Sequence, residues 1–261
     1  MSVPTGPQRP RRTPRTATVT RVRRLTGDLV RISFRCPELI GAELPHTDHY
    51  IKFVFGGEDQ PRPVTRTYTF RRVDVGTGDF DVDFVTHGDE GLAGPWARRA
   101  EPGDAVTFLG PGGAWHPGAD YRHFVFAGDE SAAPAIAAGV EKLPAGATAD
   151  VYMEISGEEA TFEMPEPEGV NLHWVPRDGA THGTKLSAAV RAAGIPDRRT
   201  AWFVHGVAEM IKELRRFLFV EGGVPREDVS ISGYWRIGMT EDQWQASKKE
   251  FNAELEAAES S

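Results

Sequence analysis

The hydrophobic rhythm of this chain changes once, near Gly110–Pro111–Gly112–Gly113, and that change limits the folds open to it. Before the break, short runs alternate apolar and polar residues, the period of a half-buried strand. Residues 17–25 and 29–36 flank Gly27–Asp28, a hairpin turn. Residues 50–55 form a third run, and 66–73 and 80–85 flank Gly76–Thr77–Gly78. Residues 105–109 follow the turn Pro102–Gly103–Asp104. Six short strands at close spacing predict a small antiparallel barrel, with one short helix near 94–100 opened by Pro95. After the break, strands at 123–127, 149–155, 171–175, 200–205 and 229–232 alternate with helices at 132–142, 183–193 and 207–221. That alternation predicts a parallel sheet with helical crossovers, and 243–258 predicts a last helix. The expected plan is a basic disordered tail at 1–17, a β-barrel domain at 18–115, and an α/β domain at 121–261.

Composition narrows the function classes. A chain with 39% hydrophobic and 26% charged residues can build a packed core. The net charge of −8 argues against a general nucleic-acid binder. Basic residues nonetheless gather at the front, in Arg9, Arg11, Arg12, Arg15, Arg21, Arg23 and Arg24. That segment reads as a disordered tail, or else as a docking arm for a membrane surface or an acidic partner. Cys36 stands alone, which excludes an internal disulfide and a cysteine-ligated iron–sulfur cluster. No apolar run approaches the roughly 18 residues of a membrane span, and the N-terminus has no signal-peptide core. A cytoplasmic protein without stable membrane insertion is the expectation.

One segment has the chemistry to hold a flavin. A flavin needs a flat apolar surface for its ring, donors and positive charge for its pyrophosphate, and a partner for its N5 edge. In Arg66–Thr67–Tyr68–Thr69, Arg66 and Tyr68 share one face of a strand. Arg66 can then hold the pyrophosphate while Tyr68 packs on the ring. The Thr69 hydroxyl or backbone could reach N5. Alone, the pattern is usually just a surface strand. Gly128–Asp129–Glu130–Ser131 follows a buried strand and opens a helix, the place where α/β sheets bind ligands. Ser131 is also a candidate helix N-cap. The segment lacks a Gly–x–Gly–x–x–Gly fingerprint, so it does not by itself specify a dinucleotide. Arg177, after the run at 171–175, reads as an exposed loop arginine, with a ribose phosphate as the alternative.

Six stretches, taken in order, resemble the siderophore-interacting protein family of FAD-dependent ferric-siderophore reductases. They are Asp48–His49–Tyr50–Ile51–Lys52, Arg66–Thr67–Tyr68–Thr69–Phe70–Arg71, His87–Gly88 with Gly91 to Ala97, Pro102–Gly103–Asp104, Gly128–Asp129–Glu130–Ser131, and Gly233–Tyr234–Trp235–Arg236 followed by Glu241–Asp242. The resemblance implies a ferredoxin-reductase-like plan with FAD as cofactor. It implies NADH or NADPH as reductant, with ferredoxin as the other donor, and a ferric siderophore as substrate.

The family stretch His–Gly–x–x–Gly–Pro–Ala–Ser–x–Trp–Ala is matched at His87, Gly88, Gly91, Ala93, Trp96 and Ala97, implying a phosphate-binding turn. Leu92 and Gly94 stand where the family has proline and serine. Asp129 and Ser131 fall on its Gly–Asp–Glu–Thr segment, and Val207 replaces a common glutamate, with Glu209 nearby. Thr67, Tyr234 and Trp235 are implied in the cofactor site, although the last two could simply pack the final strand. Lys52, Arg236, Lys248 and Lys249 are implied to form a basic pocket for the chelate. No protein metal ligand is implied, because the chelator already fills the iron shell. Two other readings stay open: a flavin or NAD(P)H reductase that does not act on siderophores, and a non-enzymatic siderophore-binding protein.

Overall fold

The computed structural model describes residues 13–56, 64–86 and 91–259. Six antiparallel strands close the expected barrel: β1 (Arg15–Arg24), β2 (Leu29–Arg35), β3 (Tyr50–Phe55), β4 (Val64–Asp74), β5 (Asp79–Val85) and β6 (Ala105–Gly112). Their order around the barrel is β1-β2-β5-β4-β3-β6. Alternation carries Phe34, Phe53, Phe80, Phe84 and Phe108 to the interior, where each is essentially inaccessible. Strand β1 begins at Arg15, inside the segment expected to be tail. The reason is barrel closure: Arg15–Thr18 pair with Phe108–Ala105 of β6. Residues 1–12 of that tail lie outside the described residues.

Helix α1 (Ala93–Arg99) plugs one end of the barrel, burying Ala93 and Ala97. The second half is a five-stranded parallel sheet ordered β11-β10-β7-β8-β9. Its strands are β7 (His123–Gly128), β8 (Thr148–Ile155), β9 (Val170–Pro176), β10 (Ala201–Val207) and β11 (Val229–Trp235). Helices α2 (Ala133–Val140), α3 (Thr184–Ala193) and α4 (Ala208–Arg215) are the crossovers, and α5 (Glu241–Glu259) closes the chain. The expected fold class is thus what the chain forms. Strand β10 runs two residues past the expected end, and α4 starts after Val207. Val207 suits either state, and its N–H is taken by Asp129, which holds it extended.

The two units meet along β3, β4 and the start of α2. Arg71 on β4 donates to Glu141 at 2.8 Å, just beyond the end of α2. Asp48 accepts the N–H groups of Ala114 and Trp115 at 2.8 and 2.9 Å, pinning the linker to the barrel. No helix among the described residues is long and apolar enough to cross a membrane.

Candidate active site

A cleft of about 740 Å³ opens between β3 and β4 of the barrel and the carboxyl ends of β7, β10 and β11. That volume suits a cofactor-sized ligand. Register places its barrel wall: Tyr50 opposes Thr69 and Lys52 opposes Thr67. Paired residues share a face, so Lys52, Thr67 and Thr69 project together into the cleft while Ile51 fills the barrel core. Tyr68 lines the cleft too, half-buried, with its ring 4.4 Å from Phe84.

The sheet wall begins with Asp129, which is 1% exposed. One carboxylate oxygen accepts the Ser131 N–H at 3.0 Å and the Ser131 hydroxyl. The other accepts the Val207 N–H and the Trp235 indole N–H, both at 2.9 Å. Asp129 therefore ties β7, β10 and β11 together, and its lone pairs are spent within the chain. That corrects its expected place as a cofactor ligand. It also explains Gly206, whose φ of +144° only glycine adopts freely and whose Cβ would lie 2.8 Å from Asp129 Oδ2. Ser131 does not cap α2, whose N-cap is Ala132; its hydroxyl serves Asp129 instead.

Tyr234 lines the sheet side of the cleft, and burial pushes its phenol well up. His205 lies flat on Phe203 at 3.8 Å, with Nε2 2.9 Å from Ser230 Oγ. Burial, reinforced by the charge of Lys248, drives His205 down to about 3, so it is neutral in ordinary buffers. Two buried polar atoms have no partner among the described residues, His205 Nδ1 in the cleft wall and Thr86 Oγ1 next in sequence to cleft-lining Val85. Each such atom costs about 1–3 kcal/mol unless something meets it, so the cleft is built for a polar ligand with a flat body. Those features, with Tyr68 and Thr69, fit the ring of a flavin.

Lys248 on α5 reaches the same space and donates to Ser232 Oγ at 3.1 Å. Burial, and then the neighbouring charge of Lys52, hold its ammonium below the usual range. Other expected residues are not brought here. Lys249 is exposed one helical position away and does not line the cleft. Arg236 instead faces Glu209 at 3.7 Å, with its guanidinium 5.3 Å from the Phe251 ring. Trp96 packs on the barrel end, stacked 6.3 Å from Phe34. Ala93 is buried in that same cluster, and Gly94 sits against Val85 and Thr86. A Cβ on Gly94 would meet nothing closer than 3.6 Å, so the absent serine has not remodelled this backbone. His87 and Gly88 lie outside the described residues. Gly91, with φ +81°, forms the entry to α1.

Arg66 reaches out of the barrel to α5, where Asp242 Oδ2 is 3.3 Å and Glu241 Oε2 4.0 Å from its guanidinium. Glu241 also accepts the Thr67 N–H at 3.2 Å, and burial raises its carboxyl above the usual range. Arg177 is not an exposed loop arginine. It is 7% exposed and clamped between Glu130 at 3.3 Å and Glu154 at 3.2 Å, while Glu154 also accepts the Gly183 N–H. Sequence reasoning missed Glu241 and Gln245 as cleft residues; their spacing of two turns and one turn from Lys248 on the same helix was the available signal.

The profile described as "Siderophore-interacting protein" matches residues 121–238, and that described as "Siderophore-interacting FAD-binding domain" matches 18–62 and 57–115. An uncharacterized protein of Mycobacterium tuberculosis is 37% identical over 243 residues, 81% of this chain and 85% of the relative. The ferric vibriobactin reductase ViuB of Vibrio cholerae is 27% identical over 258 residues, 88% of this chain and 92% of the relative. Among solved structures, the siderophore-interacting protein SipS from Aeromonas hydrophila superposes with a TM-score of 0.82 at 27% identity, covering 93% of this chain and 99% of that one.

Proposed function

The chain belongs to the siderophore-interacting protein family, and from that premise we propose that it is an FAD-dependent oxidoreductase that reduces ferric siderophores and releases iron(II) in the cytoplasm. One observation carries the reading: a wall with Tyr68, Thr69 and Tyr234 shares a single cleft with Lys52 and Lys248. The first group suits a flavin ring, and the second suits a chelate brought beside it.

In this reading Tyr68 stacks on the ring and Thr69 holds its N5 edge. Arg66 would exchange part of its Asp242 contact for the pyrophosphate, and the family-matched His87, Gly88 and Gly91 would join it there. When bound, FAD would supply a two-electron acceptor for a reductant, NADH or NADPH with ferredoxin as the alternative, and a one-electron donor for iron(III). No side chain need act as acid or base; the chain supplies position and field. Lys52 and Lys248 orient the chelate, and neutral His205 keeps a flat wall without adding charge. Iron(II) holds hard oxygen donors less tightly than iron(III), so the metal leaves the chelator after reduction.

The test is reconstitution. Purified protein incubated with FAD and desalted should retain one non-covalent flavin and appear yellow. A desalted sample with no flavin absorbance above buffer would remove the basis of the proposal.

A further inference from the structure

We propose that Glu241 sets the substrate class: the cleft selects ferric chelates of little or no net charge, trihydroxamates above all, over tris-catecholates. The inference rests on the chelate-reductase reading above. Three hydroxamates, each singly negative, leave iron(III) neutral. Three catecholates, each doubly negative, leave it triply negative.

The geometry places a carboxylate among the very cations a chelate would use. Register sets Lys52 beside Thr67, and the Thr67 N–H donates to Glu241 Oε1 at 3.2 Å. Glu241 Oε2 lies 4.0 Å from Arg66 Nε, and Arg66 is further occupied by Asp242. Lys248 stands on the same helix as Glu241 and lines the same space. The other acidic groups of the cleft do not restore a basic balance. Asp83 is neutralised by Arg31 at 2.6 Å, and Glu130 by Arg177. Asp48 holds two linker amides and Asp129 its four donors, with no cation on either. Asp48 and Asp129, which have no cationic partner among the described residues, and Glu241, which shares Arg66 with Asp242, thus line the cleft together with Lys52 and Lys248, while His205 is neutral.

A triply negative chelate would leave water here without matching counter-charge, and burying unpaired charge is costly. A neutral chelate needs only hydrogen bonds around its rim, which Ser230, Ser232 and Gln245 can supply.

The test uses FAD-loaded protein and two redox-inert gallium(III) complexes, one of a ferrichrome-type trihydroxamate and one of a tris-catecholate. Binding is read from quenching of tryptophan fluorescence, and FAD content is measured in every variant. The trihydroxamate should bind roughly tenfold or more tightly than the tris-catecholate. Glu241→Gln keeps an acceptor for the Thr67 N–H and should shift the ratio roughly tenfold toward the tris-catecholate. Gln245→Glu adds a carboxylate without touching Glu241 and should shift it the opposite way. Tighter binding of the tris-catecholate by the unaltered protein, or a ratio unmoved by both variants, would overturn the inference alone. Binding of neither complex with FAD retained would overturn the chelate reading and this inference with it.

Discussion

Single residues divide here into those that shape the cleft and those that face its ligands. Asp129 belongs to the first kind. Asp129→Ala would strand three backbone or indole donors and free Gly206, so it should lower stability by about 2–4 kcal/mol in urea unfolding, whether or not FAD is present. Arg66 belongs to the second kind. Arg66→Ala should weaken FAD retention by about tenfold, about 1.4 kcal/mol, measured by flavin fluorescence titration. Unchanged affinity would show that Arg66 serves only Asp242 and Glu241. Lys52→Ala and Lys248→Ala should raise KM for an anionic ferric chelate more than they lower kcat, leave FAD content alone, and lose their effect at high salt, where screening acts over about 8–10 Å. Equal losses for charged and neutral chelates would reassign these lysines to folding or to the flavin. At this scale the sequence could show which residue types were present but not who their partners were. Arg177 looked exposed because Glu130 and Glu154 lie on other elements, and Asp129 looked like a ligand because three of its donors are distant or backbone groups.

At the scale of elements, local pattern was a good guide wherever one face is buried. Strand β3 alternates throughout, and β2 and β5 do so over most of their length, so the barrel strands were legible from their period. Boundaries failed where a residue suited two states, as Val207 did. The phase of α5 was legible in principle: Trp244, Phe251 and Leu255 are its buried face, and Lys248 follows Trp244 by one turn while Lys249 rotates away. What could not be read was the docking of that helix, which depends on both its ends. Its start meets Arg66 and Thr67. Its end is held by Glu259, which accepts from Arg215, also at 2.9 Å through Nη2, and from Arg226 at 2.5 Å. Burial opposes the ionised form of Glu259, yet the two arginines outweigh it and hold the carboxyl below the usual range. A depressed folded value means that this stabilisation is fully present above the unfolded pKa, about 4.3, and is lost as pH falls through the folded one. Hydrogen exchange in α5 should therefore rise below about pH 4 before the barrel strands open, and Glu259→Gln should show the faster exchange already at neutral pH. Exchange in α5 that is independent of both pH and Glu259 would contradict that account.

For the whole molecule, the change of rhythm near Gly110 foretold two units, but not that their junction makes the site. The barrel contributes Lys52, Tyr68 and Thr69, the sheet contributes His205, Ser232 and Tyr234, and α5 contributes Glu241 and Lys248. The barrel groups are distant in sequence from those of the sheet and α5, so only the register of β3 on β4 and the packing of the two units assemble them. The central claim, that this cleft carries electrons from a flavin to chelated iron, is tested most directly by one anaerobic turnover. FAD-loaded protein is reduced stoichiometrically, mixed with a ferric trihydroxamate, and followed by flavin absorbance beside a ferrous-iron trap. The account predicts full return of oxidised flavin with two iron(II) captured per flavin, since each flavin gives two electrons and each iron accepts one. Flavin that stays reduced, or reoxidises without any iron(II) appearing, would contradict it.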